Sequence, residues 1–219
     1  MNNRTIAIGD IHGCFYQFKE LVENKLQLTN TDTLVLLGDY IDRGTDSKKV
    51  IDYILSLQNK DFNLIPLMGN HEKMLLNAFD NTQNLSKWLF FGGKQSMLSF
   101  GIKDLSELEK KYKIFFQNLK NYHIIKDTIF VHAGFNDHIK EPLLDIYPML
   151  WTCNDAYLNP FFKNKTVIHG HCAISIDTSL ANINKESKVI NIDTGCVYQK
   201  QNSGLSAYII ETKKLISVT

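Results

Sequence analysis

The feature that most constrains the fold is a unit that recurs through the first third of the sequence. In each copy a short apolar run ends at a glycine and a polar turn follows. Apolar residues then recur at spacings of three and four, as on one face of a helix. The copies cover residues 5–26, 33–57 and 64–79. Strands that alternate with helices in this way form parallel sheets, so the carboxyl ends of the strands share one edge. Ligands bind at that edge in open α/β sheets, and we expect a site there.

The pattern changes near residue 80. The spacing of apolar residues over about 80–122 predicts a helical insertion that packs beside the site and is not a separate domain. Later apolar runs predict strands at 128–131, 166–168 and 189–192, and a closing hairpin at 205–210 and 215–218. Because several late strands follow one another, we expect a second sheet facing the first. The whole chain, residues 1–219, is therefore expected to form a single α/β domain.

Composition excludes several classes of protein. The 219 residues carry a formal net charge of +1 with no basic stripe, so nucleic acid is not an expected partner. No stretch approaches membrane-spanning length and no signal peptide precedes the first strand, so we expect a cytoplasmic protein with no membrane partner. Without a Cys-x-x-Cys pair, neither a thiolate zinc site nor a disulfide framework is expected, and Cys172 is expected to be a small core residue. The sequence does not indicate an oligomeric state.

Polar side chains follow nearly every predicted strand. They are Asp10 and His12, then Asp39, Asp42 and Arg43, then Asn70, His71 and Glu72, and later His132, His169 and His171. Carboxylate, imidazole and amide groups favour Mn²⁺, Fe or Zn²⁺ over Ca²⁺, which prefers oxygen ligands alone. The ligands are too many for one ion, and a bridging aspartate allows two. Two ions can clamp a phosphate and activate a water between them for in-line attack, which predicts metal-assisted hydrolysis without a protein nucleophile.

At these residues the sequence resembles the phosphoprotein phosphatase branch of the calcineurin-like metallophosphoesterases. Five motifs carry the resemblance, in the family's order: GDIHG (9–13), GDYIDRG (38–44), GNHE (69–72), HAG (132–134) and GH (170–171). The resemblance implies a β-sandwich of two mixed sheets flanked by helices, with a two-metal site at the sheet edge. The metals would be divalent ions, with Mn²⁺ first and Fe or Zn²⁺ as alternatives.

The resemblance also implies a role for each residue. The first metal would be held by Asp10, His12 and Asp39, and the second by Asp39, Asn70, His132 and His171. Arg43, with Asn70, would bind the phosphate. His71 would be the general acid, with its imidazolium held by Asp42. The physical reading agrees, because a metal-bound histidine is held neutral and cannot donate the proton.

The chain also departs from the family pattern. Met68 stands just before GNHE, where many members have arginine, and Cys153 stands in Trp151-Thr152-Cys153, where bacterial relatives often have a second phosphate-binding arginine. A residue of the helical insertion is the expected replacement. His169 is expected to be a packed histidine or one that supports a ligand from behind, and not a metal ligand itself. Glu72 is expected to cap the following helix.

Three functions remain open on the sequence. The first is a phosphomonoesterase acting on phosphoserine, phosphothreonine and phosphotyrosine in proteins, or on small phosphate esters. The second is a nucleotide hydrolase resembling the symmetrical diadenosine tetraphosphatases, which share the motifs. The third is a phosphate-binding module with little turnover. The intact His71, Asp42 and Arg43 argue against the third, because a module without activity need not keep its acid.

Overall fold

The computed structural model describes residues 3–219 of the chain. Its strands are β1 (Thr5–Ile8), β2 (Thr33–Leu36), β3 (Asn63–Pro66), β4 (Tyr122–Ile125), β5 (Thr128–Val131), β6 (Thr166–His169), β7 (Val189–Asn191), β8 (Leu205–Ile209) and β9 (Lys214–Val218). Its α-helices are α1 (Phe15–Glu20), α2 (Ser47–Asn59), α3 (Asn70–Ala78), α4 (Thr82–Trp88), α5 (Lys94–Phe100), α6 (Leu105–Gln117), α7 (Ile146–Trp151) and α8 (Ile176–Asn184).

The strands form two mixed sheets. The first has the order β3-β2-β1-β8-β9, in which β1, β2 and β3 run parallel as the repeated unit predicts. The second has the order β4-β5-β6-β7, with β5, β6 and β7 parallel and β4 antiparallel to β5. A second sheet was therefore a correct prediction. The predicted closing hairpin, β8–β9, is present, but it extends the first sheet beside β1 and does not belong to the second.

Alternation along the strands explains why the sheets face each other. In β1, Ile6 and Ile8 point into a core shared with the helices, whereas Ala7 points into the core between the two sheets. Phe130 and Ile168 of the second sheet meet Ala7 in that inner core. Since successive side chains on a strand point to opposite faces, a strand buried on both faces has no polar alternation. That is why these strands are continuous apolar runs.

Helices α4, α5 and α6 occupy the segment that the sequence predicts to be a helical insertion. Within this segment Trp88 and Phe116 are fully buried, whereas Phe90 is 82% exposed. Strand β4 and helices α7 and α8 were not predicted, because they are short elements without clear periodicity. Among residues 3–219, no helix is both long enough and apolar enough to cross a membrane.

Candidate metal centre

The polar turns that follow the strands meet at one edge of the two sheets. Asp10 and His12 follow β1, and Asp39 follows β2; His132 and His171 follow β5 and β6 of the second sheet. His132 Nε2 lies 3.6 Å from Asp39 Oδ1, and His132 Nδ1 lies 4.0 Å from Asp10 Oδ1. Carboxylates of the first sheet therefore lie close to imidazoles of the second.

Several residues of these turns adopt a backbone conformation that is unfavourable for side chains other than glycine. The φ angle is 43° at His12, 51° at Asp39, 70° at Asp42, 67° at Arg43 and 69° at His171. Left-handed residues of this kind persist only where the surroundings hold them, and they cluster at functional sites. Here the hydrogen bond from the His12 N–H to the Asp39 carbonyl, at 2.7 Å, joins the first two turns.

Glu72 does more than the predicted capping of α3. Its buried carboxylate accepts the N–H of Gly69 at 3.2 Å, as a cap does. It also accepts the N–H groups of Asp39 and Tyr40, each at 2.8 Å, and of Ile41 at 3.2 Å. One carboxylate therefore fixes the backbone of the turn that presents Asp39.

The centre of the site is a group of hydrogen-bond acceptors that face one another. His132 Nδ1 donates to the carbonyl of Leu37 at 3.0 Å, which makes Nε2 an acceptor. The end of the Asn70 amide that faces this nitrogen lies 3.0 Å from it and 3.2 Å from both His171 Nδ1 and Asp39 Oδ1. With the amide oxygen facing inward, these lone pairs repel one another, and a cation at this point would satisfy all of them.

Two sets of residues have the spacing that a metal requires. The ligand atoms of Asp39, His132 and His171 lie within 4.8 Å of one another, as do those of His12, Asp39 and His71. Asp39 belongs to both sets, as a bridging ligand would. Burial lowers the pKa of His132 to about 3, so its imidazole is neutral and able to bind metal.

Asp10 completes a concentration of buried negative charge. Its carboxylate accepts the N–H of His171, with both oxygens within 3.2 Å. Burial raises the pKa of Asp10 well above its usual range, and the carboxylates of Asp193 and Asp39 raise it further. Burial likewise raises the pKa of Asp193 to about 6. Such a cluster of acids favours bound cations, so the residues present fit a divalent metal centre.

His71 sits at the start of α3 against this cluster. Its Nδ1 lies 2.7 Å from Asp42 Oδ2, and both side chains are fully buried. Within the described residues its Nε2 has no hydrogen-bond partner. Asp42 is itself held by Trp88 Nε1, which donates to Oδ2 at 2.8 Å, and by Ser96 Oγ, which donates to Oδ1 at 2.6 Å. Trp88 and Ser96 belong to the helical insertion, and neither was predicted from the sequence to lie at the site.

Arg43 is half-buried beside the cluster. Its Nη1 donates to His12 Nε2 at 2.6 Å and to the hydroxyl of Tyr198 at 3.2 Å. His12 Nδ1 donates to the carbonyl of Ile41 at 2.9 Å, so Nε2 carries the lone pair that Arg43 contacts. A guanidinium in this place could reach an anion bound at the cluster.

The positions that depart from the family pattern have specific environments. Met68 is almost fully buried and packs in the core, away from any phosphate-binding role. Cys153 forms a disulfide bond with Cys172. The expectation of no disulfide was therefore wrong, and so was the expectation that Cys172 is a core residue, since it is exposed. The two cysteines are 19 residues apart in the sequence, and they meet because the end of α7 packs against the turn after β6.

His169 is a buried, packed histidine. It is 2% exposed, its Nδ1 donates to the carbonyl of Gly170 at 3.1 Å, and burial lowers its pKa to about 4. It is absent from both sets of residues with metal-binding spacing.

Comparison with known proteins agrees with this architecture. The model of the calcineurin-like phosphoesterase family matches residues 4–200. The chain belongs to this family and is a metal-dependent phosphoesterase.

Relatives with different named activities span most of the chain. Serine/threonine-protein phosphatase 2 of Salmonella typhimurium is 29% identical over 205 residues, which are 86% of each chain. The asymmetrical bis(5'-nucleosyl)-tetraphosphatase PrpE of Oceanobacillus iheyensis is 25% identical over 236 residues, covering 96% of this chain and 90% of that one. A zinc-dependent endopolyphosphatase of Saccharomyces cerevisiae is 39% identical, but the match covers 41% of this chain and only 26% of that protein.

Solved structures show the same fold. A protein serine/threonine phosphatase from Saccharomyces cerevisiae superposes with a TM-score of 0.69 at 15% identity, covering 99% of this chain and 80% of that one. A cold-active protein-tyrosine phosphatase from a Shewanella species superposes with a TM-score of 0.65 at 16% identity, covering 100% of this chain and 81% of that one.

Proposed function

We propose that this chain is a binuclear-metal phosphomonoesterase that hydrolyses phosphoserine and phosphothreonine, and also phosphotyrosine. The observation that supports this proposal is that His71, held by Asp42, lies against a cluster of metal-binding side chains with Arg43 beside it. Acid, metal ligands and phosphate-binding cation are the parts that phosphoester hydrolysis requires.

The proposal assigns the ligands to two metals. Asp10, His12 and Asp39 hold the first metal, and Asp39, Asn70, His132 and His171 hold the second. When bound, two divalent ions supply a nucleophile at neutral pH and stabilise charge on the phosphoryl oxygens. Mn²⁺ is the proposed ion, because mixed carboxylate, amide and imidazole ligands suit it, and Fe or Zn²⁺ are the alternatives.

The remaining residues act on the substrate. Arg43 binds two phosphoryl oxygens with its planar guanidinium and orients the ester for in-line displacement. His71 donates a proton from Nε2 to the leaving oxygen, and Asp42 stabilises the positive charge on the imidazole before that transfer. Trp88 and Ser96 keep the Asp42 carboxylate in place.

A nucleotide hydrolase is the second candidate. The PrpE relative favours it, because that protein is named a bis(5'-nucleosyl)-tetraphosphatase. The match to PrpE covers 96% of the present chain. The chemistry at the cluster would be unchanged, and only the group beyond the scissile bond would differ.

One set of assays tests the proposal. The Mn²⁺-loaded protein is assayed with p-nitrophenyl phosphate, phosphothreonine and phosphotyrosine peptides, and diadenosine tetraphosphate, with a metal-free sample as control. Metal-dependent turnover of the phosphopeptides supports the first candidate, and selective cleavage of the dinucleotide supports the second. A metal-loaded protein that turns over none of them contradicts both.

A further inference from the structure

A groove lies beside the metal centre, between helices α3, α4 and α7. It encloses a cavity of about 430 Å³, and its lining includes Lys73, Asn77, Asn84, Lys87, Tyr147 and Trp151. We call this surface the basic groove. Nothing in the roles assigned so far uses it.

The basic groove adjoins the metal centre at two points. The ring of Trp151 meets the ring of His171 edge to face, with 6.1 Å between the centroids. On the other side, Lys73 lies one helical turn after Asn70 on α3. Asn77, another turn along, lies about 10 Å from Asn70 at the helical rise of 1.5 Å per residue. A ligand bound at the cluster could therefore continue into the groove.

The groove carries positive charge that the protein does not neutralise. Lys73 and Lys87 are exposed, and neither makes an ion pair within residues 3–219. Lys87 Nζ lies over the ring of Trp151, 5.8 Å from its centroid. The lining contains no Asp or Glu. Two unpaired lysines next to an anion-binding centre attract further negative charge on the same ligand.

The groove is longer than a compact ligand needs. A second cavity of about 420 Å³ shares Lys73, Asn77 and Ile146 with it and continues past Asp80 and Lys113. Lys113 is already paired with Glu109 at 2.6 Å, so the excess of charge lies at the end nearest the metals. An extended peptide advances about 3.3–3.6 Å per residue and would cover the stretch from Asn70 to Asn77 with about three residues. The shape thus favours a peptide over a nucleoside.

The remaining lining suits a peptide as well. Tyr147 is 69% exposed and offers a flat apolar surface, and Asn77 is half-buried in the lining. Aromatic residues are enriched in protein interfaces, where they pack against partner side chains.

We propose that the basic groove binds an acidic residue of a phosphopeptide, two to four positions from the phosphorylated residue. Lys73 and Lys87 contact its carboxylate, and Tyr147 packs against the intervening side chain. This inference rests on the proposed phosphatase function and adds a preference for acidic sequences to it.

Two phosphothreonine peptides that differ only in flanking Asp or Lys residues test the proposal. We expect the wild-type protein to hydrolyse the acidic peptide with a kcat/KM roughly fivefold higher, since an exposed charge pair is worth up to ~1 kcal/mol. The substitutions Lys73→Glu and Lys87→Glu should together reverse the preference. Turnover of p-nitrophenyl phosphate, which does not reach the groove, should change less than twofold. Lys163→Glu combined with Lys185→Glu, which changes the net charge equally at exposed positions outside the groove, should leave the preference intact.

Other outcomes separate this inference from the function on which it rests. If p-nitrophenyl phosphate is hydrolysed but both peptides react equally in every variant, the groove does not select acidic peptides. The inference is then wrong, whereas the proposed function still stands. If the lysine variants impair only diadenosine tetraphosphate cleavage, the groove binds nucleotides and the peptide proposal is wrong. If the metal-loaded protein hydrolyses nothing, the proposed function fails. The inference can then still be tested by fluorescence anisotropy. The wild-type protein should bind the acidic phosphopeptide, and Lys87→Glu should weaken that binding.

Discussion

His71 Nδ1 lies 2.7 Å from Asp42 Oδ2 in a pair that is closed to solvent on all sides. This contact permits two roles for His71, because a carboxylate can stabilise a histidine that donates protons or orient one that binds a metal. His71 also lies in one of the two sets with metal-binding spacing. Metal content separates the two roles.

The first prediction concerns His71→Asn. If His71 is the general acid, turnover of phosphate esters should fall by roughly 10²–10⁴ while the metal content stays the same. Activity is measured with a phosphothreonine peptide, and metal content by mass spectrometry of the same sample.

His138→Asn is the matched control, since His138 is in an exposed loop and should tolerate the change. A substrate with an activated leaving group, such as p-nitrophenyl phosphate, should lose less activity than a phosphothreonine peptide, because it needs the acid less. If His71→Asn loses a metal ion as well as activity, His71 is a ligand and the assignment is wrong.

The second prediction concerns the close approach of Gly170 to Asp10. A Cβ atom at position 170 would lie 2.1 Å from Asp10 Oδ1, so Gly170→Ala must displace that carboxylate. We expect Gly170→Ala to bind less metal than the wild type at equal free Mn²⁺ and to lose activity in proportion. Gly101→Ala is the control: nothing lies within 4 Å of its added Cβ, although its φ of +68° makes the change slightly destabilising. Full metal content in Gly170→Ala would show that Asp10 is not a ligand.

The third prediction concerns the pH dependence of stability, away from the metals. Asp32 is 3% exposed and accepts hydrogen bonds from Arg4 Nε at 2.9 Å and Nη2 at 2.6 Å, and from the Thr29 N–H at 2.9 Å. These donors hold the pKa of Asp32 well below its usual range. Asp32 is therefore ionised in the folded state at pH values where the unfolded chain, with a pKa of about 3.9, binds a proton. Its stabilising effect is complete above that pH and is lost as the pH falls further.

We expect Asp32→Asn to lower the free energy of unfolding by about 2 kcal/mol at pH 7, a value typical of hydrogen bonds to a charged group. The difference from the wild type should shrink steadily below pH 4. Urea unfolding at pH 7 and pH 3 measures both values. Asp61→Asn, at an exposed turn with φ of 59° that Asn also tolerates, should change little at either pH. An Asp32→Asn effect that is equal at both pH values would contradict the argument.

The turns that carry Asp10, Asp39 and His132 could be predicted from the sequence because each follows an apolar run that ends at glycine or carries a family motif. The residues that support them could not. Trp88 and Ser96 reach Asp42 from a helical segment about 50 residues away, and nothing in their local sequence distinguishes a donor to Asp42 from a core residue. Tyr198, which contacts Arg43, lies 155 residues from it. Contacts of this kind follow from how the insertion and the second sheet pack, which periodicity does not encode.

The same limit applies to the sheets. The parallel pairing of β1, β2 and β3 follows from the repeated unit, but the position of β8 beside β1 does not, because an antiparallel strand could have joined either sheet. Cys153 and Cys172 are a further example. Their bond depends on α7 ending at the turn that carries His171, and α7 was itself missing from the sequence prediction.

The last prediction concerns that disulfide bond. It closes a loop of 19 residues and joins the segment after Trp151 to the residue after His171. In the chain-entropy model a disulfide bond that closes a loop of this size stabilises the folded protein by about 3 kcal/mol. For a chain of this length, opening the bond should therefore lower the melting temperature by roughly 6–12 °C. Loosening the turn should also weaken metal binding at His171. We expect Cys153→Ser, and reduction of the wild type with a phosphine, to produce the same two changes. Cys14→Ser should produce neither, because Cys14 forms no disulfide.

Thiol titration of the denatured protein should find two free thiols before reduction and four after it. Four thiols before reduction would show that the bond does not form in solution, and the stability effect would then have to be absent as well.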